Sequence, residues 1–379
     1  MVLKKEIQEI LKKTSNFASD EKAILATVID VVGSGYRRPG ARMLIDENGR
    51  GIGAVSGGCL EADVLERAKN VLETNEPIVI TYDTTRDENS VFGLSMGCRG
   101  IVRILLEPLD AESFLLRVLQ IAAECRERQF IGSLVSSNSD FFVGGRAFYN
   151  NVEQFDFQNL PNIVEQFAGL TNDCVEFFAE NKSAEVREYR IGGKVFEMFF
   201  ENINPPLNLL LFGAGYDALP LIKFAREIGW RVSVVDHRPA FANAERLSEA
   251  DEIIVSGAED LNDYFFQDET AVAVIMTHNY ERDREILRWL LHSKCQYIGA
   301  LGPKKRTERL LEEIGETFGG EHLAKLHAPA GLDIGADTPE AIALAIIAEI
   351  QAVLNGREGG FLRERQGSIY DRKKAFPAF

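Results

Sequence analysis

Residues 207–236 read LNLLLFGAGYDALPLIKFAREIGWRVSVVD, and this stretch decides the fold of the C-terminal half of the chain. An apolar run at 207–212 leads into the turn GAGYDA at 213–218, then a helical segment, then a second apolar run at 231–236. This order of strand, glycine-rich turn, helix and strand is the first β-α-β unit of a Rossmann domain. We therefore expect the stretch to hold a nucleotide-like phosphate ligand.

Four residues of this unit have separate expected roles. Gly213 permits the tight turn, Gly215 lets a phosphate approach the backbone, and Ala218 lets the helix pack closely on the strand. The helix N-terminus offers unpaired N–H groups and a partial positive charge to an anion. Asp236 ends the second strand, where a carboxylate accepts hydrogen bonds from ribose hydroxyls. A Rossmann domain that has lost its ligand is the alternative interpretation.

The same alternation of apolar strands and amphipathic helices continues toward residue 355. Unbroken apolar strands between helices indicate a parallel sheet that is covered on both faces. The predicted fold class is therefore α/β, with a C-terminal Rossmann-like, doubly wound parallel sheet and an N-terminal mixed α/β domain. The further predicted strands are 252–255, 271–277 and 296–301, and the predicted helices are 219–228, 282–291, 305–314 and 339–354.

The domain boundaries follow from the prolines at Pro205 and Pro206, which stiffen a linker and stop the preceding element. We expect an N-terminal domain at 1–203, a Rossmann-like domain at 207–355 and a charged C-terminal tail at 356–379. Within the first domain, helical periodicity is clear at 60–73. No internal repeat of solenoid length is visible in the sequence.

Composition restricts the class of protein. Apolar residues make up 45% and charged residues 26% of the 379 residues, as in soluble globular proteins. The net charge of −16 argues against binding to nucleic acid or to an anionic membrane. The N-terminus lacks the apolar core of a signal peptide, and no apolar run is long enough to cross a bilayer. We therefore expect a cytoplasmic protein.

Local basic clusters are informative in an acidic chain, because an anionic ligand must be attracted against the overall field. The second of two such clusters opens a helix, where basic residues oppose the helix dipole, and this placement favours anion binding. A solvated surface is the alternative for both. The clusters are Arg37, Arg38 and Arg42, and Lys304, Lys305 and Arg306.

His278 follows the strand predicted at 271–277, at the edge of the sheet where the parallel strands end. Ligands of open α/β sheets bind at this edge. His278 is therefore a candidate acid, base or ligand, and a structural loop histidine is the other interpretation.

The five cysteines are odd in number and dispersed, so neither a disulfide framework nor a zinc site is expected. Cys59 follows Gly57 and Gly58 at the start of a helix, and Cys98 lies between glycines beside Arg99. A helix N-terminus or a guanidinium favours the thiolate, and the glycines let a ligand approach. Such thiols suit sulfur transfer, metal contact or nucleophilic attack, whereas most free cysteines are small buried apolar residues.

Eight segments spread over most of the chain carry a resemblance to a known family. They are GSGYRRPGARMLI (33–45), GAVSGGCLEADV (53–64), GCRG (97–100), LFGAGYDALPL (211–221), VVDHRP (234–239), MTHNYERDREIL (276–287), YIGALGPKKR (297–306) and LHAPAGLDIGADTPEAIALAIIAEI (326–350). Together they resemble the XdhC/CoxI family, whose members assist the maturation of molybdenum hydroxylases such as xanthine dehydrogenase. Two positions differ from that pattern: Arg99 replaces a glycine, and Tyr216 stands where a histidine is common.

The resemblance implies a protein that binds molybdenum cofactor (molybdopterin), supports its sulfuration and hands it to an apo-hydroxylase of the xanthine dehydrogenase type. A cysteine desulfurase as sulfur donor and a homodimeric state are further expectations. Such a protein is a cofactor-binding chaperone rather than a turnover enzyme. Two alternatives stay open: an NAD-dependent oxidoreductase that uses the Rossmann turn with His278 as acid or base, and a regulatory module that senses a nucleotide.

Overall fold

The computed structural model describes residues 5–83, 85, 100–124, 128–137, 143–150, 155–160, 168–180, 182–191, 193–257 and 269–366. Cys98 and Cys125 lie outside the described residues. The chain divides into two compact units, Met1–Pro205 and Pro206–Phe379. Within the described stretches, no helix is long and apolar enough to cross a membrane.

The described part of the N-terminal unit forms two five-stranded antiparallel sheets. The strands are β1 (Ala23–Gly33), β2 (Arg42–Asp46), β3 (Gly51–Gly53), β4 (Ile78–Asp83), β5 (Gly100–Leu109), β6 (Gln129–Ser137), β7 (Arg146–Asn150), β8 (Phe155–Gln158), β9 (Ala184–Ile191) and β10 (Lys194–Ile203). The first sheet has the order β3-β2-β1-β5-β4 and the second the order β8-β7-β6-β10-β9.

Helices of this unit precede or connect the strands. Ile7 and Ile10 of the first helix are buried, as its amphipathic periodicity requires. The helix predicted at 60–73 is present one residue later. The helices are α1 (Lys5–Thr14), α2 (Glu61–Thr74), α3 (Phe114–Glu124) and α4 (Ala168–Ala179).

The two sheets are built from one repeated motif. The order α1-β1-β2-β3-α2-β4-β5 is followed by α3-β6-β7-β8-α4-β9-β10, and the strand orders coincide when the two runs are matched. Even an irregularity is repeated, because β1 and β6 each carry one extra residue, Ile29 and Val135, at the register shift against β5 and β10. The N-terminal unit is therefore an internal duplication.

Ion pairs between the sheets follow the same repeat. Arg42 at the start of β2 pairs with Glu201 on β10, and Arg146 at the start of β7 pairs with Glu107 on β5. Each arginine also donates from Nη1 to the backbone carbonyl two residues earlier. All four side chains are buried. These pairs therefore join the two sheets in one relative position and do not face solvent.

The C-terminal unit contains a six-stranded parallel sheet in the order β13-β12-β11-β14-β15-β16. Every residue of β11 and β14 is buried, because helices cover both faces of the central strands. The predicted α/β fold class with a Rossmann-like sheet is confirmed. The strands are β11 (Asn208–Phe212), β12 (Arg231–Asp236), β13 (Glu252–Val255), β14 (Ala271–Ile275), β15 (Tyr297–Ala300) and β16 (Leu326–His327).

The strand order reverses between β11 and β14, because the chain runs outward from β11 to β13 and then crosses back to β14. Ligands of such sheets bind at this switch point, beyond the carboxyl ends of the strands. The helices of the unit are α5 (Ala218–Glu227), α6 (Tyr280–His292), α7 (Lys304–Ile314), α8 (Gly320–Ala324) and α9 (Pro339–Leu354), with a short 3-10 turn at Leu362–Glu364.

Candidate functional site

The glycine-rich turn lies at the carboxyl end of β11. Gly213 has φ +113°, and a Cβ there would lie 2.4 Å from the carbonyl oxygen of Met276, so no larger residue fits. Ala218 begins α5 and is fully buried against the sheet. The local geometry of the turn is thus that of a Rossmann domain.

Asp236, at the end of β12, has both carboxylate oxygens engaged. Oδ1 accepts from the backbone N–H and Nε of Arg238, both at 2.9 Å. Oδ2 accepts from Arg238 Nη2 at 2.7 Å and from the backbone N–H of Ala214 at 2.8 Å. Burial raises the pKa of Asp236, but these hydrogen bonds lower it by more, and the resulting pKa is about 2. The carboxylate is therefore ionised and fully satisfied.

This arrangement changes the expectation for Asp236. A carboxylate offers about four acceptor positions, and Arg238 and Ala214 fill them. The ribose-binding role stays a prediction, and it would require Arg238 to leave. The guanidinium of Arg238 also lies 4.1 Å from the ring centroid of Phe241, which holds it in place. The cavity beside Asp236 has a volume of only about 10 Å³, roughly that of one water.

His278 lies at the predicted edge, after β14, with φ +57°. Its Nε2 is 2.8 Å from Oδ2 of Asp217, which stands at the N-cap of α5. Asp217 was not among the predicted site residues, although an acidic residue inside a phosphate-binding turn is a visible signal in the sequence. The carboxylate of Asp217 thus lies at the N-terminus of α5, where free backbone N–H groups would otherwise bind a phosphate.

The second basic cluster divides into two kinds of residue. Arg306 Nη1 lies 2.7 Å from Oδ2 of Asp283, a buried carboxylate that also accepts from Thr277 Oγ1. Arg306 therefore joins α7 to α6, and its guanidinium is engaged by an internal carboxylate. Lys304 and Lys305, in the first turn of α7, are exposed.

In the N-terminal unit, Cys59 is exposed and free. It precedes Leu60, the N-cap residue of α2. Its Sγ lies 3.5 Å from Oγ of Ser56, and Ser56 in turn donates to Glu61. Apart from its chain neighbours, a Cβ on Gly58 would meet no atom within 4 Å, so the loop faces open space at this residue.

Ser56 and Glu61 are site residues that the sequence analysis missed. Ser56 Oγ accepts from the backbone N–H groups of Gly58 and Leu60, both at 3.1 Å, and so fixes the loop that carries Cys59. Burial raises the pKa of Glu61, but hydrogen bonds from Ser56 and Leu60 lower it by more, and Glu61 stays ionised. The spacing S-x-x-x-x-E around a helix start was the available signal.

The first basic cluster is also divided. Arg42 is 2% exposed, and its guanidinium is paired with Glu201, so it serves the fold and is not carried into the proposed site. Arg37 is half-buried and pairs with Glu6. Burial lowers the pKa of Arg37 below its ordinary value, and the negative charge of Glu61 offsets part of this effect. Arg38 is half-buried in the same loop.

The structure brings the loop after β1 to the loop that carries Cys59. A Cβ on Gly57 would lie 3.3 Å from the ring of Tyr36, so the two loops approach closely at this glycine. Tyr36 itself is 66% exposed. Arg37, Gly57, Gly58 and Cys59 thus belong to one surface of the N-terminal unit. We call these four residues and Arg38 the thiol surface.

Neither unit offers a preformed set of metal ligands among its described residues. Among the described residues, no group of three or more His, Cys, Asp or Glu side chains is placed to hold a metal ion. Cys174 and Cys295 are buried, and burial raises the pKa of Cys174 to about 12. Of the described cysteines, Cys59 is therefore the one that a soluble ligand can reach.

The chain thus consists of a duplicated antiparallel unit, in which an exposed thiol follows two glycines, and a Rossmann-type unit. These features define the class as a two-unit α/β protein. A family model described as the XdhC Rossmann domain matches residues 209–350, and one described as the XdhC and CoxI family matches residues 17–83. The chain belongs to the XdhC and CoxI family. The resemblance predicted from the sequence is confirmed.

Individual relatives extend over most of the chain. One, from Bacillus subtilis (strain 168) and named as a probable xanthine dehydrogenase subunit, is 32% identical over 87% of this chain and 92% of its own length. Another, named molybdenum cofactor insertion chaperone PaoD from Escherichia coli (strain K12), is 24% identical over 88% and 84%. A crystal structure described as a xanthine dehydrogenase from Bacillus halodurans superposes with TM-score 0.75, at 31% identity, over 94% of this chain and 97% of that one.

Proposed function

We propose that this chain is a maturation factor that binds molybdenum cofactor and delivers it to an apo-hydroxylase of the xanthine dehydrogenase type. The names of two relatives, which match over most of their length, support this role. The observation in the structure that carries it is the exposed Cys59 thiol, which follows Gly58, where the loop faces open space. It acts as a binding and delivery protein in the cytoplasm rather than as a turnover enzyme.

The thiol surface fits this cofactor better than the Rossmann turn does. Cys59 supplies a soft thiolate donor, which suits a thiophilic metal, and Arg37 and Arg38 supply positive charge for a phosphate. At the Rossmann turn, by contrast, Asp217 stands at the phosphate position and Asp236 is already satisfied. We therefore assign cofactor binding to the thiol surface and keep Gly213, Gly215, Lys304 and Lys305 as a secondary, phosphate-type surface.

The finer parts of the proposal concern sulfur and assembly. The bound cofactor would supply the molybdenum centre that the client needs, and Cys59 would hold that centre accessible to a sulfur donor such as a cysteine desulfurase. The family membership and the exposure of Cys59 support this order. A homodimer is proposed as the working assembly. Cys98, which lies outside the described residues, stays a second candidate thiol.

The direct test is the content of the protein after expression in a host that makes the cofactor. We expect molybdenum and pterin to copurify with the chain and to fall to background in Cys59→Ala. Cys295→Ala, which changes a buried thiol, is the matched control and should retain both. Absence of molybdenum and pterin from the wild type, together with saturable NAD binding, would instead support the oxidoreductase alternative, in which Gly213, Asp236 and His278 hold the coenzyme.

A further inference from the structure

The two halves of the N-terminal unit exchange their buried ion pairs. The strand registers match Arg42 with Arg146, since these residues face Thr27 and Ser133. They also match Glu107 with Glu201. Each arginine nevertheless pairs with the glutamate of the other half. Reciprocal contacts of this kind are the mark of a two-fold axis, as in a symmetric dimer. The halves are therefore related by a rotation, as the subunits of a homodimer are.

A small apolar cluster between the sheets follows the same rotation. Ile29 and Val135, the extra residues of β1 and β6, both belong to it. Its other buried members are Leu105 and Phe199, which occupy matching places on β5 and β10. A two-fold axis brings a residue close to its own counterpart only where the axis passes. The axis therefore passes near this cluster.

An ion pair at the axis breaks this symmetry. Arg103 lies beside the register shift on β5, and Glu197 occupies the matching place on β10. Nη2 of Arg103 lies 2.6 Å from Oε2 of Glu197, and Nη1 lies 3.3 Å from Oε1. Both side chains are partly buried, at 18% and 28% exposed. A residue thus meets its own counterpart here, and the two halves carry opposite charges at this place.

The axis pair distinguishes unlike halves from like halves, whereas the buried pairs do not. Two first halves could still join Arg42 to Glu107, because each half carries one such arginine and one such glutamate. At the axis, however, two first halves would place Arg103 against a second Arg103. Two second halves would place Glu197 against a second Glu197. Like charges that face each other across an interface are costly and so exclude the wrong partner.

We propose that the N-terminal unit is a fused two-fold dimer in which the Arg103–Glu197 pair makes unlike halves associate. The surface between the sheets fits the opposite half, either of the same chain or of a second copy, and rejects the same half. This selection keeps each chain closed on itself, because association of like halves would leave the remaining halves to join further chains. The inference goes beyond the proposed function and does not depend on Cys59.

The test is complementation between two full-length variants. Glu197→Arg places two arginines at the axis and Arg103→Glu places two glutamates there, so each variant alone should unfold at a lower urea concentration than the wild type. When the two variants are refolded together, an exchange of halves gives opposite charges at both axes. We expect the mixture to regain the wild-type urea midpoint, measured by circular dichroism, and to form mixed dimers in native mass spectrometry with one variant isotopically labelled.

Two controls separate this effect from a general effect of charge. Glu66→Arg and Lys69→Glu reverse the two members of an exposed ion pair within α2, so their mixture should be no more stable than either variant alone. The double variant Arg103→Glu with Glu197→Arg reverses the axis pair inside one chain. It should regain the wild-type midpoint without a second chain, and it serves where a single variant fails to fold.

Three results would each overturn the proposal. The first is a wild-type urea midpoint in both single variants, which would show that the axis pair selects nothing. The second is a double variant that is no more stable than the single variants. The third is a mixture of Glu197→Arg and Arg103→Glu that keeps the lower midpoint or forms no more mixed dimers than the α2 control pair.

Discussion

His278 Nε2 lies 2.8 Å from Asp217 Oδ2, so an acid–histidine pair joins the loops after β14 and β11 at the switch point of the parallel sheet. The N-terminus of α5 would otherwise present its N–H groups and partial positive charge to a phosphate. The Asp217 carboxylate is expected to repel such a ligand, because both carry negative charge. We therefore expect Asp217 to lower the affinity of this turn for anions.

Removing the carboxylate should make the turn bind phosphate more tightly. Asp217→Asn keeps the size of the side chain and is expected to increase the affinity for inorganic pyrophosphate about tenfold, since a like charge near the ligand is lost. Isothermal titration of the full chain measures this. Glu340→Gln changes an acidic residue in the first turn of another helix, α9, and is the control that should change nothing. Equal affinities in Asp217→Asn and wild type would refute the assignment.

The Asp236–Arg238 pair should stabilise the C-terminal unit in a defined pH range. The folded pKa of Asp236 is about 2, below the unfolded value of roughly 3.9, so its contribution is present above about pH 4 and is lost as the pH falls toward 2. The expected loss is about 2 kcal/mol. Both tryptophans, Trp230 and Trp289, lie in this unit and report its urea unfolding. Asp236→Asn should flatten this part of the profile, and an unchanged profile would contradict the pairing.

The buried pair between β2 and β10 should matter for stability rather than for ligand binding. Glu201→Ala leaves the guanidinium of Arg42 buried without its partner and is expected to cost about 3–5 kcal/mol of unfolding free energy. The double variant Arg42→Met with Glu201→Leu should recover most of it, because no buried charge remains. Chemical denaturation followed by circular dichroism measures both. An Arg42 that faced a ligand instead would show almost no cost in Glu201→Ala.

Cysteine exposure predicts an order of chemical modification. Cys59 should be alkylated by iodoacetamide well before Cys174 and Cys295 in the folded chain, because both of these are buried and burial raises the pKa of Cys174 to about 12. Peptide mass spectrometry after short exposures gives the order. Labelling of Cys174 or Cys295 ahead of Cys59 would show that the loop at Gly57 covers the thiol.

The Rossmann half could be predicted from the sequence because its signals are local. The apolar runs, the turn at Gly213 and the helix starts each depend on neighbouring residues. The duplication of the N-terminal unit could not, because antiparallel pairing joins distant residues and the halves have diverged. Arg42 matches Arg146, and Glu107 matches Glu201, only once the strand register is known.

Only part of the candidate site could be predicted, because only part of it depends on neighbouring residues in the sequence. The sequence placed His278 at the sheet edge and Cys59 at a helix start, and both lie there. It could not show that Arg238 fills the oxygens of Asp236, nor that Asp217 meets His278, because those contacts depend on side-chain direction across separate loops. A cluster of like charges in sequence also does not reveal internal partners, as Arg42 demonstrates.

The proposed function requires Cys59 to carry the cofactor to the client enzyme. The most direct measurement is activation of a purified apo-hydroxylase of the xanthine dehydrogenase type by the chain isolated from a cofactor-producing host. We predict that the wild type and Cys295→Ala restore hydroxylase activity, whereas Cys59→Ala, folded as judged by its unfolding profile, restores none. Full activation by Cys59→Ala would contradict the account.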